Sequence, residues 1–351
     1  MGKRVFVTGA TGRVGSLLCK ELDKKGYEVR AFVLPGDPFV SRIADVPCEI
    51  VYGNLLDQET LEKALAGCDI LLHMAAYMVP TADMSENLYM KINVVGTWNI
   101  TRSAMRAGVK RMVYGSSDAV YPPFCHSRNP ITEDDPKRPH FLYPLTKNLN
   151  ECIVFEAWRE SNYKFEVTAT RFGTVMSKDE ILNGFSAKGV CGILHGAATC
   201  PATNVYRPEI EKPWEEFEAL GIPDEALCIP YGPDGRAWRM HYTHVTDVVQ
   251  GVILAMESEA APGEAFNILG PAATPRDVAI KYIAERTGEK YYEAHLQNTW
   301  DFECSIEKAR KYLGYKPLYD TRKMIDDALG WREKGVYTER SLNSAVFEGD
   351  H

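Results

Sequence analysis

Tyr143 and Lys147 stand four residues apart in Tyr143-Pro144-Leu145-Thr146-Lys147, a spacing that places both on one face of a helix. A phenol with a pKa near 10 is a poor base at neutral pH, and a neighbouring ammonium favours its phenolate. Such a tyrosine can pass a proton to or from a secondary alcohol while hydride moves to or from a nicotinamide. Upstream, Val113-Tyr114-Gly115-Ser116-Ser117-Asp118 ends a strand-like run in two hydroxyls, either of which could hydrogen-bond the reacting oxygen. A third pattern, Val5-Phe6-Val7-Thr8-Gly9-Ala10-Thr11-Gly12-Arg13-Val14-Gly15, sets three glycines at GxxGxxG spacing between a strand and a helix. Gly9 permits the tight turn, Gly12 lets the backbone approach a pyrophosphate, and Gly15 allows close packing of helix on strand, while the helix N-terminus offers free N–H groups and a positive dipole end. Thr11, Arg13 and Val14 lie in the same turn and are candidate contacts of the dinucleotide. The following strand, Val29 to Leu34, ends with neither acid nor base where an acid usually meets the ribose hydroxyls. NAD and NADP both stay open, with Arg13 or Arg42 available to a 2′-phosphate.

The elements that must position these residues alternate: Arg4 to Thr8, Val14 to Lys25, Glu28 to Leu34, Leu61 to Leu65, Ile70 to Met74, Val94 to Ala107, Arg111 to Tyr114. Strand–helix alternation implies parallel βαβ units. Val14, Leu17, Leu18 and Leu22 make an apolar stripe on the first helix, and Gly26 ends it. From Gly173 to Gly235, Gly and Pro interrupt the chain and predict loops and short elements of a second lobe. Helices return at Val245 to Glu257, Thr274 to Thr287, Ser305 to Leu313 and Thr321 to Lys334. The expected fold class is α/β, a parallel sheet followed by a second lobe. Residues 1–172 form the dinucleotide domain with 236–262 returning to it, 173–235 and 263–336 form the lobe, and 337–351 are a tail.

Composition fits a folded chain: 45% hydrophobic and 25% charged residues, with no apolar run near the roughly 18 residues of a membrane span. The net charge of -8 argues against a nucleic-acid footprint. The 9 cysteines are scattered without a CxxC pair, which predicts a reduced, cytoplasmic protein. Cys191, His195 and Cys200 match no ordinary zinc spacing and show only three ligands, so no metal is expected.

The glycine turn, Asn54-Leu55-Leu56-Asp57, His73-Met74-Ala75-Ala76, Asn93-Val94-Val95-Gly96-Thr97, Ser116-Ser117-xx-Val120-Tyr121, Tyr143-xxx-Lys147 and His244-Val245-xx-Asp247 occur together in order. In this the chain resembles the extended short-chain dehydrogenase/reductases, the NAD-dependent epimerase/dehydratase family, over roughly residues 3 to 330. The resemblance implies a doubly wound parallel Rossmann sheet with a smaller mixed α/β C-terminal substrate lobe, and a Ser-Tyr-Lys catalytic set with the hydroxyl on Ser117, Ser116 being structural. It places Asn54 and Leu55 near the adenine, Ala75 and Ala76 along the cofactor cleft, and Lys147 also at the nicotinamide ribose. Asn93 falls where a family Asn holds the catalytic helix and a water, and His244 where a histidine bridges the lobes.

Two departures bear on the substrate. Thr174 in Arg171-Phe172-Gly173-Thr174 replaces an Asn, and Met240 replaces an Arg, at positions where similar nucleotide-sugar enzymes bind a diphosphate, although Arg239, Arg236 or Arg207 could substitute. Asp118 is followed by Ala119, so the Asp-Glu pair of a dehydratase is half missing, and Asp118 reads as a turn residue or a substrate hydroxyl ligand. With Ser117, Asp118, Thr174 and Arg239 as substrate contacts, the expected function is NAD(P)-dependent hydride transfer at a secondary alcohol or ketone of a small, sugar-like substrate. A UDP-sugar 4-epimerase retaining its NAD would use the same residues. A non-catalytic NAD(P) sensor would require none of Ser117, Tyr143 and Lys147. The reading leaves a homodimer open.

Overall fold

The computed structural model describes residues 2–78, 85–122, 129–139, 141–177, 180–198, 213–297 and 299–335. The proposed tail 337–351, Cys200 and Arg207 lie outside the described residues.

Six strands and five helices carry the first half: β1 (Arg4–Thr8), α1 (Arg13–Lys24), β2 (Glu28–Val33), β3 (Glu49–Tyr52), α2 (Gln58–Leu65), β4 (Ile70–His73), α3 (Glu86–Met90), α4 (Gly96–Ala107), β5 (Arg111–Ser117), α5 (Leu142–Glu160) and β6 (Glu166–Phe172). A π-helical segment, Lys91–Val95, joins α3 to α4. The strands pair in parallel in the order β3-β2-β1-β4-β5-β6, and the strand Ala265–Ile268 adds to β6 as the seventh. This seventh strand comes from within the segment 263–336 that the sequence assigned to the lobe.

Alternation along each strand explains the two layers. Val5 and Val7 of β1, Ala31 and Val33 of β2 and Leu72 of β4 point to one face, where they pack with α1 and the helix Val245–Glu257. Phe6, Phe32, Leu71 and Met112 point to the other, against α2, α4 and α5. Phe302, Cys304, Ala309 and Tyr315 join the first of these cores, so chain from beyond residue 300 packs on that face of the sheet. Smaller apolar clusters unite the helices Glu180–Gly184, Ala187–Ala198, Pro213–Glu218, Arg276–Thr287 and Thr321–Glu333 with the strands Leu227–Tyr231 and Tyr291–His295. Among the described residues no helix is long and apolar enough to cross a membrane.

Candidate active site

The order in which strands are added to the sheet switches sides between β1 and β4, the crevice at which open α/β sheets hold ligands. Gly9 leaves β1 at φ +66°, and a Cβ there would stand 2.8 Å from the amide nitrogen of Ala75. A Cβ on Gly15 would stand 2.0 Å from the carbonyl oxygen of Gly9, so this glycine serves the packing of α1 on the turn. Gly12 is the N-cap of α1, has ordinary extended dihedrals and offers no side-chain cap. The first-turn N–H groups beyond it have no capping side chain, an arrangement that fits a pyrophosphate.

Thr8, at the end of β1, accepts the Ala75 N–H on its hydroxyl oxygen at 3.3 Å and faces Nδ1 of His73 at 2.7 Å. Thr97 donates to the Asn93 carbonyl at 2.7 Å and faces Nε2 of His73 at 3.0 Å. With its proton committed to Asn93, Thr97 can only accept from His73, which assigns the imidazole proton to Nε2 and makes Nδ1 the acceptor of the Thr8 hydroxyl. Burial, assisted by Lys147, pushes His73 down to about 3, so the ring is a neutral connector. Asn93 sits in the π-helical segment, where its amide clamps the Tyr77 backbone, accepting the N–H at 2.7 Å and donating to the carbonyl at 2.9 Å. Its own carbonyl accepts from Asn150 of α5 at 3.0 Å. Asn93 therefore ties the exit of β4 to α5.

Ser116 and Ser117 part company at the end of β5. The buried Ser116 hydroxyl donates to Glu151 at 2.6 Å, while Ser117 accepts the Ala119 N–H at 3.2 Å and turns toward Tyr143. Tyr143 and Lys147 lie on α5 as their spacing predicts, with the ammonium 5.6 Å from the Tyr143 ring centre and donating to the Gly115 carbonyl at 2.6 Å. Burial pushes the Tyr143 phenol above its ordinary value; Ser117 opposes the shift and Asp118 adds to it. The expected depression of this phenol by Lys147 is absent: burial dominates the shift, and it also pushes Lys147 down to about 7. Asp118 rises to about 7, again through burial, with Ser117 opposing. Gly173 leaves room for it, since a Cβ there would meet the carboxylate at 2.3 Å.

Beneath this set lies a polar network that the sequence reading missed. Glu151, one turn beyond Lys147, takes two hydrogen bonds from Arg171 at 2.9 and 2.8 Å and one from Lys137 at 3.0 Å. Burial opposes its ionisation, but Arg171, Lys137 and Ser116 outweigh this and hold it down to about 2. Arg171 also reaches the Tyr121 hydroxyl at 2.5 Å, which donates to Asn267 at 2.9 Å. The i, i+4 offset from Lys147 was the available signal for Glu151.

The remaining candidates are dispersed. Thr11 is buried and donates to Asp37 at 2.5 Å. Val14 packs on the core beneath the turn. Arg13 is paired with Glu180, and Arg42 donates to the Thr11 carbonyl at 3.2 Å while lying over Phe39. Asn54 is exposed and caps its own turn through Leu56, and Leu55 packs against α4 at Gly96. Ala75 borders the glycine turn and Ala76 is exposed. Thr174 accepts the Thr243 N–H through its carbonyl. Arg239 is ion-paired to Asp301 at 2.8 Å and to Glu303 at 3.0 Å, and Arg236 shares Asp301 at 2.7 Å. His244 caps the helix Val245–Glu257 and stacks on Tyr319 at 3.9 Å.

The sequence profile of the NAD dependent epimerase/dehydratase family matches residues 5–268. The chain is 39% identical over 342 residues to sterol demethylase protein B of Methylococcus capsulatus, covering 94% of this chain and 99% of that one. It is 28% identical over 342 residues to the UDP-glucose 4-epimerase of Streptococcus mutans, covering 93% and 96%. Its fold superimposes with a TM-score of 0.80 on a short-chain dehydrogenase/reductase superfamily protein from Agrobacterium tumefaciens with bound NAD, at 27% identity, covering 95% and 98%. With the family profile spanning both the glycine turn and the Ser117–Tyr143–Lys147 set, this chain belongs to the NAD-dependent epimerase/dehydratase family.

Proposed function

We propose that the chain is a NAD-dependent oxidoreductase that interconverts a ketone and a secondary alcohol on a substrate without a nucleotide diphosphate. The supporting observation is the placement of the Tyr143 phenol, the Ser117 hydroxyl and Lys147 at the carboxyl end of β5, the same edge of the parallel sheet that carries the uncapped N-terminus of α1. Gly9, Gly12, Gly15 and the first turn of α1 would hold the dinucleotide, which when bound gives or takes a hydride. Tyr143, kept protonated at neutral pH by burial, is suited to donate its proton to the oxygen of a ketone being reduced. Ser117 hydrogen-bonds the same oxygen, and Lys147 steadies the phenolate left behind. In the reverse direction Tyr143 takes the alcohol proton back.

NAD is favoured over NADP by Asp37, a carboxylate fixed beside the glycine turn through Thr11, which would repel a 2′-phosphate. Arg13 and Arg42, the cations the sequence left available, are bound to Glu180 and to the Thr11 carbonyl. The Agrobacterium tumefaciens structure with bound NAD is consistent with NAD binding.

The epimerase reading has the similarity to UDP-glucose 4-epimerase in its favour. Against it, Thr174 and Met240 offer no cation, and Arg239 is engaged by two carboxylates. The name of the relative with the higher identity, 39% against 28%, points instead to a sterol, a largely apolar alcohol. Nicotinamide absorbance measured across sterol-like ketones, sugars, sugar acids and UDP-sugars separates these classes. Turnover of an unlinked ketone or alcohol that Tyr143→Phe lowers about 10²- to 10⁴-fold supports the proposal. Near-normal activity in that variant would sink the site. Calorimetric micromolar UDP binding that Arg239→Ala destroys would transfer the assignment to a nucleotide-sugar epimerase.

A further inference from the structure

Cys191 and His195 lie one helical turn apart on the helix Ala187–Ala198, and Glu218 reaches them from the end of the helix Pro213–Glu218. Cys191 Sγ is 3.6 Å from Glu218 Oε1, and His195 Nε2 is 3.5 Å from the same oxygen. All three ligand atoms lie within 4.8 Å of one another. For an imidazole–carboxylate hydrogen bond 3.5 Å is long, since charge-assisted bonds close to about 2.7–2.9 Å. For a coordination sphere it is close to the expected edge. Bond lengths of about 2.3 Å to sulfur, 2.1 Å to nitrogen and 2.0 Å to oxygen at tetrahedral angles put sulfur about 3.5 Å and nitrogen about 3.4 Å from the oxygen.

We propose that Cys191, His195 and Glu218 form a binding site for a single divalent ion of the zinc class, which ties the helix Ala187–Ala198 to the helix Pro213–Glu218. The donor set of thiolate, imidazole and carboxylate selects a borderline-soft ion over calcium or magnesium. Three protein ligands leave one position open to water or another donor. The imidazole is already oriented by stacking on Trp214, ring centres 4.6 Å apart, and apolar contacts among Val190, Leu194 and Phe217 hold the two helices together beneath the ligands. The sequence showed only Cys191, His195 and Cys200; the carboxylate comes from another helix and follows no spacing rule.

The test is a titration of the untagged, chelator-treated chain with Co²⁺ alone, followed by absorption, then competition with Zn²⁺. The expected result is one cobalt per chain with a thiolate-to-metal charge-transfer band and the visible bands of a tetrahedral ion, both erased by zinc. Cys191→Ser should remove the charge-transfer band, and His195→Ala and Glu218→Gln should each weaken binding about tenfold or more. Circular dichroism checks that each variant is folded, and hydrogen exchange should show zinc protecting residues 187–198 in the parent chain. Absence of a thiolate band at saturating cobalt overturns the proposal. So does a band that survives in Cys191→Ser, which would place the ion on another cysteine such as the exposed Cys152.

Discussion

Replacing Glu151 by Gln should separate the scaffold of the site from its electrostatics. The substitution keeps the shape of the side chain but removes the charge that Arg171, Lys137 and Ser116 converge on. Arg171 is then left as a buried cation without its counter-ion, an arrangement that costs about 3–5 kcal/mol. Linkage gives a similar figure. A carboxyl held at about 2 against an ordinary 4.5 contributes about 3 kcal/mol, present above pH 4.5 and lost as pH falls toward 2. At about 2 °C per kcal/mol for a large chain, Tm near pH 7 should fall by about 6–10 °C. The parent's acid-side loss of stability between pH 4.5 and 2 should shrink accordingly. Glu151 also props up the ammonium of Lys147. Without it the lysine's pKa drops still lower, and the alkaline limb of kcat/KM moves to lower pH. Pairing Glu151→Gln with Arg171→Met should restore much of the Tm but not the position of that limb, because the charge acting on Lys147 is still missing. Scanning calorimetry and pH–rate profiles on the parent, the single variant and the double variant provide both readouts. A Tm change under about 2 °C, or an unmoved alkaline limb, would refute the reasoning.

Gly15→Ala should prevent folding, its Cβ meeting the Gly9 carbonyl at 2.0 Å, whereas Gly12→Val should leave circular dichroism intact and abolish NAD binding by fluorescence titration. Asp37→Asn should raise NADP affinity about tenfold or more, equal to about 1.4 kcal/mol, with little effect on NAD. For Asp118, raised to about 7, the folded chain binds the extra proton between pH 3.8 and 7, so stability falls as pH rises through that window. Asp118→Asn should flatten this decline and melt above the parent at pH 8, with the gap closing by pH 4.

The sheet was legible because each strand and helix carries its own period: Val5, Phe6 and Val7 are apolar on both sides, and Leu18 and Leu22 keep the helical stripe. The glycine turn and the Tyr143–Lys147 pair were legible for the same reason, since their geometry is set within a dozen residues. What escaped depends on distant partners. Glu151 could be any helical carboxylate until β6 delivers Arg171. Arg239 was a free cation in sequence and a paired one once Asp301 and Glu303 arrive from more than sixty positions away. Asp37 lies three residues past the predicted strand end, and only folding returns it to Thr11. Ala265–Ile268 is too short to announce which sheet it joins.

That last strand has a consequence for how the protein is made. β6, whose interior residues from Val167 to Arg171 are buried in the finished fold, pairs on one side with Ala265–Ile268. During synthesis the ribosome must add more than ninety residues after Phe172 before this partner exists, about 5–20 s at ordinary elongation rates. Through that interval the nascent sheet ends in an open apolar edge, the kind of ladder that recruits a neighbouring chain. Yield of native protein should therefore depend on what shields the growing polypeptide, and on the pace of translation between codons 172 and 268.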